Sequence, residues 1–169
     1  MVVEQGLNGE KVSPRSLAWL QYDDKALYVA VDNTIAPNTS PSTGSIWGQD
    51  DAVEFAFRNP AAGKNAPIII LRGYPNGHFE SSSEAGAPAS VVTQAAQGVD
   101  YKAKSLGKGR WVAEWRIPFA SLGLDPQKVA RLEFNLSIRK IVGEQWVEWQ
   151  GTSAATWDAP KAGIIELVR

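Results

Sequence analysis

The 169-residue sequence has no cysteine, one methionine and one histidine. Without cysteine the chain can form no disulfide framework, no thiolate zinc site and no thiol nucleophile. His78 lies in the loop sequence PNGHFESSS, which lacks the nucleophile-elbow pattern of a serine hydrolase. Because the single methionine is Met1, a Met/His pair of haem ligands cannot form inside the fold. We therefore expect no haem and no catalytic triad.

The sequence also lacks long apolar runs and an excess of charge of either sign. No stretch of about 18 apolar residues occurs, and the N-terminal residues contain no apolar core of signal-peptide length. With 17 basic and 18 acidic residues, the formal net charge is −1, and no Lys/Arg stripe is present. Nucleic acid and membranes are therefore not expected as partners.

Alternating strands dominate what is present. Seven segments rich in β-branched and aromatic residues read as strands, at 26–31, 51–57, 67–73, 110–119, 134–140, 145–150 and 163–169. Clusters of Gly, Pro, Asn and Ser separate them as loops. This pattern predicts an all-β chain folded as an antiparallel two-sheet β-sandwich of jelly-roll or immunoglobulin-like architecture. We expect one domain over residues 1–169, with an irregular or truncated segment at 1–16.

Helix signals are scarce. The stretch 90–109 can hold a turn of helix, although parts of it also alternate like a strand. The stretch 118–130 is expected to contain a short helical turn, capped by Ser121 or Asp125 and limited in length by its two prolines.

Strand alternation sorts the side chains between the core and the outer face of a sheet. In the strand 51–57, Glu54 points away from Val53 and Phe55 and lies between two alanines. In the same way Asn135 lies opposite the core face of its strand. The predicted polar outer face carries Glu54, Arg72, Asn135, Ser137 and Arg139. Such a face is either a plain solvated surface, which is common in antiparallel sheets, or a binding surface.

The seven tryptophans divide by their position. Trp47 and Trp157 lie in loops, where a core does not need them, and each is either a plug beneath its loop or a platform for a ligand. Trp19, Trp111 and Trp115 lie in or beside strands and are assigned to the core. Trp146 is expected to share a strand face with Glu148.

The order of several short motifs resembles family-9 carbohydrate-binding modules and their DOMON-like β-sandwich relatives. The motifs are LAWLQYDDKALYVAVDN, WGQDDAVEFAF, WVAEWRIPFASLGL, FNLSIRK and TWDAPKAGIIEL, and they extend over residues 17–169. The resemblance implies a β-sandwich that binds β-glucan and xylan chains, or their reducing ends, in a slot between two tryptophans. The sequence departs from the family in lacking a clear "iDG" segment near its start. Ala154 and Ala155 also stand near the closing tryptophan, where the family has polar groups.

By motif position, the resemblance makes Trp47 and Trp157 the walls of the slot. Glu54 and Arg72 would hydrogen-bond sugar hydroxyls, and we expect Asn135 to join them. The resemblance also implies structural calcium, for which the candidate ligands are Asp50, Asp51 and Asp23.

The sequence thus predicts a non-catalytic module that binds cellulose- or xylan-type polysaccharide and tethers an attached enzyme to it. Such a module is expected in a secreted, multimodular protein. A structural or protein-interaction sandwich without a sugar site is the alternative. A glycosidase would need a second carboxylate facing Glu54, and Glu114, Glu133 and Glu148 remain open candidates for it.

Overall fold

The computed structural model describes residues 1–128, 131–158 and 161–168. Its strands are β1 (Val2–Gln5), β2 (Lys11–Tyr22), β3 (Ala26–Thr34), β4 (Ala52–Arg58), β5 (Ile69–Gly73), β6 (Phe79–Ser82), β7 (Asp100–Gly107), β8 (Arg110–Pro118), β9 (Arg131–Lys140), β10 (Gln145–Glu148) and β11 (Gly163–Glu166). The helix α1 spans Ala89–Ala96, and a 3-10 turn spans Pro60–Ala62.

Neighbouring strands all pair antiparallel, in the order β6-β5-β4-β9-β10-β1-β2-β3-β8-β7. On the edge of β9 that faces away from β4, β10 pairs with one half of the strand and β11 with the other. The strand path passes from one layer to the other where Gln5 of β1 pairs with Glu148 of β10. The result is a nearly closed, barrel-like β-sandwich, which confirms the predicted all-β antiparallel class.

The core lies between the two layers and is filled by the inward residues of alternating strands. Val53, Phe55 and Phe57 of β4 are buried there, as the alternation predicts. Phe55 contacts Trp115 of β8 across the sandwich, with ring centroids 4.7 Å apart in an edge-to-face arrangement. Trp111 and Trp115 are buried as predicted.

Trp19 departs from the prediction that placed it in the core, because 51% of its surface is exposed. The inward residue of β2 at this point is Ala18, which is fully buried. Alternation therefore sends the neighbouring indole to the outer face.

The prediction of an irregular segment at 1–16 was wrong. β1 and the first half of β2 lie there, and they pair with each other in the sheet. Val3 is fully buried in the core, and the Ser16 hydroxyl donates to Asn33 Oδ1 at 2.6 Å. The sequence signal was weak because polar and apolar residues do not alternate cleanly over VEQGLNGEKVSPRS.

Both of the structures considered for residues 90–109 occur, one after the other. Helix α1 packs on β5 and β6, and β7 follows it. In residues 118–128 the structure has hydrogen-bonded turns instead of the expected helical turn, with Ser121 Oγ donating to Pro118 O at 2.7 Å. Within the described ranges no helix is both long and apolar enough to cross a membrane.

Candidate functional site

A row of polar side chains crosses the outer face of one layer. Glu54 of β4 pairs with Arg72 of β5 on one side and with Ser137 of β9 on the other. The row extends to Glu80 of β6 beyond Arg72, and to Glu148 of β10 beyond Ser137. Because residues opposite one another across antiparallel strands point to the same face, the register brings these groups together. The alternating strands of the sequence thus become a polar floor.

A cavity of about 180 Å³ lies above this floor. Its floor is formed by Glu54, Ser137, Glu148 and Thr156, its walls by Trp47, Trp146, Trp157 and Leu7, and its rim by Glu84, Ala154 and Ala155. Trp47 and Trp157, which the sequence places in separate loops, therefore line one cavity, and both are half-buried.

The loop before β4 holds Trp47 in place through a compact hydrogen-bonded turn. Asp50 Oδ2 accepts from the backbone N–H of Ile46 at 2.9 Å, which closes the turn around the indole. Asn76, from the turn between β5 and β6, donates to Ser45 Oγ at 2.8 Å. The Trp47 ring meets Trp146 edge to face, with centroids 5.2 Å apart. These contacts orient the indole before any ligand arrives.

The loop after β10 is held on the same polar floor. The buried Thr152 donates its backbone N–H to Glu148 Oε2 at 2.8 Å, and its hydroxyl donates to Ala155 O at 2.8 Å. Lys161 Nζ donates to Thr152 O at 3.0 Å from the far side of the loop. The floor residue Glu148 therefore positions the loop that carries Trp157.

Glu54 and Arg72 form a buried ion pair at the centre of the row. Arg72 Nε donates to Glu54 Oε2 at 2.6 Å, and another arm of the guanidinium bonds Glu84. The guanidinium carbon lies 4.4 Å from the Trp47 ring centroid, which is cation–π distance. Burial raises the pKa of Glu54, while the Arg72 charge and the Thr156 hydroxyl oppose that shift.

Glu148 is also fully buried, but no cation pairs with it among the described residues. Burial raises its pKa to about 7, and the hydrogen bond from Thr152 opposes the shift. The negative charge of Glu54 adds to the rise. The floor thus combines one carboxylate held by a cation with one that titrates near neutral pH.

Ser137 lies in the row between these two glutamates. Its hydroxyl is buried and has no hydrogen-bond partner within the described parts of the chain. Native proteins rarely leave a buried polar group unpaired, since this costs about 1–3 kcal/mol. Because Ser137 lines the cavity, a ligand or water there would satisfy its hydroxyl.

Comparisons with solved structures find the same architecture in sugar-binding proteins. A family-9 carbohydrate-binding module from Caldicellulosiruptor kristjanssonii, in complex with cellotriose, superposes with a TM-score of 0.70 at 18% sequence identity, covering 97% of this chain and 80% of that one. The module from the same organism in complex with glucose gives 0.69 at 18% identity, covering 98% and 84%. The chain resembles family-9 carbohydrate-binding modules in its fold.

A more distant similarity is to a protein from Bacteroides uniformis ATCC 8492 described as a putative carbohydrate-binding protein. Its TM-score is 0.53 at 15% identity, covering 98% of this chain and 85% of that one. No protein-family model and no curated protein matches the sequence.

Two predicted sugar contacts lie outside the cavity lining. Asn135 is fully buried, and its amide donates to Gln150 O at 3.0 Å and accepts from Gln150 N at 3.1 Å. It therefore joins β9 to the end of β10 and has its polar atoms occupied. Arg72 lies behind Trp47 and beside Glu54, where its bonds go to Glu54 and Glu84. Its placement supports two cavity residues instead of lining the cavity.

The three candidate calcium ligands do not come together. Asp51 is buried and accepts from the backbone N–H groups of Ser42 and Ile141, at 2.8 and 3.0 Å. Asp23 accepts from Lys25 N at 2.7 Å in the turn between β2 and β3. No group of three or more His, Cys, Asp or Glu side chains suited to a metal occurs among the described residues. The carboxylates thus do not fit the calcium site that the resemblance implies at these positions.

Trp146 was not predicted as a cavity residue, and Glu148 was considered only as a possible second carboxylate facing Glu54. Both point outward from β10, as alternation predicts, but only pairing of β10 with β9 places Glu148 opposite Ser137 and Trp146 opposite Arg139. The available signal was the sequence QWVEWQ, in which a tryptophan and a carboxylate share one strand face.

Proposed function

We propose that this protein is a non-catalytic carbohydrate-binding module that holds a sugar ring in the cavity between Trp47 and Trp157. The observation that carries the proposal is the meeting of three indoles over a buried polar row whose central hydroxyl, on Ser137, has no partner among the described residues. The fold resemblance to modules in complex with cellotriose and with glucose supports it.

The two kinds of surface in the cavity match the two kinds of surface on a pyranose. The ring presents apolar C–H faces, which flat indoles cover at a low cost in conformational entropy. Its hydroxyls lie around the edge and need donors and acceptors. The carboxylates of Glu54 and Glu148 accept hydrogen bonds, and the Ser137 hydroxyl can donate or accept. A small aromatic cavity with a few converging polar groups is typical of ligand sites.

Arg72 acts mainly through its neighbours in this proposal. Its charge opposes the rise that burial causes in the pKa of Glu54 and so favours the accepting carboxylate form, and its guanidinium supports one face of Trp47. Its direct contact with a sugar hydroxyl, like that of Asn135, stays a prediction of the sequence.

The proposed ligand class is β-glucan or xylan, or the reducing ends of these chains. Cellotriose and glucose in the structural neighbours favour the glucan. In a secreted, multimodular protein, such binding would tether an attached enzyme to its polymer and raise its effective concentration there.

A glycosidase is the first alternative to a binding module, because two carboxylates, those of Glu54 and Glu148, line the same cavity. Both, however, are bound by the protein itself: Glu54 by Arg72, and Glu148 by the backbone N–H of Thr152. We therefore assign them to binding and positioning. Incubation with cellohexaose followed by product analysis should leave the oligosaccharide intact, whereas shorter products that disappear in Glu148→Gln would establish catalysis.

The second rival is a sandwich that lacks a sugar site and serves structure or protein interaction. Calorimetric titration with cellobiose, xylobiose and their reduced alditols separates it from the proposal. Saturable heat with either sugar supports the proposed function, and its loss with the alditols would define a reducing-end site. Absence of heat with cellobiose and xylobiose would overturn the proposed ligand class in favour of the interaction module.

A further inference from the structure

The outer face of the opposite layer carries a second groove, of about 290 Å³, across β2, β3, β8 and β7. Two adjacent cross-strand rows form it. The first is Trp19–Ala30–Glu114–Lys102, and the second is Gln21–Tyr28–Arg116–Asp100. These rows are two residues apart along each strand, so all eight side chains point to the same face.

Exposed aromatic rings distinguish this groove from an ordinary solvated face. Trp19 is 51% exposed and Tyr28, its diagonal neighbour, is 36% exposed. The residue directly opposite Trp19 is Ala30, whose small side chain leaves open space beside the indole. Two neighbouring exposed rings with polar side chains around them form the kind of apolar patch that marks a ligand-binding groove.

Three polar side chains around the rings have no partner within the ranges that the structure describes. Glu114 of β8 lies directly opposite Lys102 of β7 in the strand register. Neither side chain forms an ion pair or a hydrogen bond with any described residue, and the same is true of Gln21. By contrast, Tyr28 donates to Asp23 at 2.9 Å and Arg116 lies 3.7 Å from Asp100. An acceptor, a donor and an amide are therefore free beside the exposed indole.

We propose that this groove is a second carbohydrate site, which binds one ring of an uncharged oligosaccharide on Trp19. The indole and Tyr28 cover the apolar face of the ring, while Glu114, Lys102 and Gln21 bond its hydroxyls. The charges of the groove balance, with Lys102 and Arg116 against Glu114 and Asp100. This balance favours a neutral ligand rich in hydroxyls over an acidic polymer or a basic peptide.

The groove and the cavity lie on opposite outer faces of the sandwich. Glu54 and Glu114 each point away from the core on their own layer. The two sites would therefore bind separate chains, and each can fail without the other. If both bind, the module links two polymer chains, and its retention on an insoluble polymer exceeds that of either site alone.

The test uses the indole N–H signals of the seven tryptophans in a two-dimensional NMR titration with cellohexaose and xylohexaose. The Trp19 signal is assigned by its absence in Trp19→Ala. We expect it to shift saturably in the wild type and equally in the Trp47→Ala/Trp157→Ala double variant. In that double variant, Glu114→Ala should weaken the binding by at least about fivefold, because a hydrogen bond to a charged group is lost. Leu106→Ala, an exposed apolar residue of β7 outside the groove, is the matched control and should change nothing.

Several results would overturn the second site. The first is a Trp19 signal that does not move with either sugar, and the second is a sugar affinity that Glu114→Ala leaves unchanged. The third is a Trp19 shift that depends on protein concentration without sugar, because this would indicate that a second copy of the chain covers the groove. Failure of the proposed function looks different, since the Trp47 and Trp157 signals would then stay still in the wild type while Trp19 shifts.

Discussion

The two outer faces of this sandwich have a common arrangement and opposite environments. Each places a glutamate near the centre of a cross-strand polar row, Glu54 on one face and Glu114 on the other. Glu54 is 1% exposed because the loops that carry Trp47 and Trp157 cover its row, whereas Glu114 is exposed. The strands thus supply polar rows on both faces, and the covering loops decide which row becomes a cavity.

Covering a polar row changes its chemistry. Under the loops, Glu54 needs Arg72 as a partner, Glu148 has a raised pKa, and the Ser137 hydroxyl bonds to none of the described residues. On the open face, Glu114 and Lys102 need no protein partner because water solvates them. The covered face should therefore be costly to alter, while the open face should tolerate change in the absence of a ligand.

The largest expected effect is on stability and comes from breaking the buried pair. Glu54→Ala leaves the Arg72 guanidinium buried without its main partner and should lower the free energy of unfolding by about 3–5 kcal/mol. Glu114→Ala, the matched change on the open face, should stay within about 0.5 kcal/mol of the wild type. Urea denaturation measures both, and equal costs would contradict the contrast between the faces.

The next largest effect is on sugar binding. Trp157→Ala removes one wall of the cavity and should weaken cellotriose binding by about 2–4 kcal/mol, as loss of an aromatic anchor does. Because Trp157 is half-buried, the substitution should lower the free energy of unfolding by less than the ~3–5 kcal/mol lost when a fully buried aromatic side chain is removed. Calorimetry and thermal melts measure the two quantities. Unchanged binding combined with a large drop in stability would make Trp157 a plug beneath its loop.

A pH-dependent effect comes from Glu148. Its pKa in the folded protein, about 7, lies above its ordinary value of 4.5, so the folded state binds the proton more tightly than the unfolded state. The stabilisation of the folded state by protonated Glu148 is fully present below about pH 4.5 and is lost as the pH rises to about 7, which lowers the free energy of unfolding by at most about 3.4 kcal/mol. Glu148→Gln should therefore be about 1–2 kcal/mol more stable than the wild type at pH 8 and similar to it at pH 4.5. A constant difference across this range of pH would contradict the assignment.

The smallest expected effect distinguishes a binding group from a structural one. Ser137→Ala removes a hydroxyl that bonds to no residue in the described part of the chain, so stability should stay equal or rise slightly. Sugar affinity should fall by about 0.5–1.5 kcal/mol, the net value of one hydrogen bond. A loss of stability with unchanged affinity would show that the hydroxyl serves the fold.

Much of the fold follows from the sequence because strand alternation is a local property. It places Glu54 and Ser137 outward and Phe55 inward without knowledge of any partner strand. The N-terminal strands were not predicted because polar and apolar residues alternate poorly there. These strands are specified by pairing with distant segments, such as the pairing of Gln5 with Glu148.

The site was harder to predict because it depends on register. Nothing local in the sequence shows that Glu148 lies opposite Ser137, or that Trp146 meets Trp47 edge to face. Asn135 was predicted to bind sugar because it lies on the polar face of its strand. In the structure both the nitrogen and the oxygen of its side-chain amide form hydrogen bonds with the backbone of Gln150. Trp19 was assigned to the core because tryptophans usually are, whereas its neighbour Ala18 occupies the core position.

The most direct measurement is a crystal structure of the protein with cellotriose. The account predicts density for a glucosyl ring between Trp47 and Trp157, with a sugar hydroxyl within hydrogen-bond distance of Ser137 Oγ. A cavity that stays free of sugar at saturating cellotriose, or a sugar bound elsewhere while Ser137 remains unpaired, would contradict it.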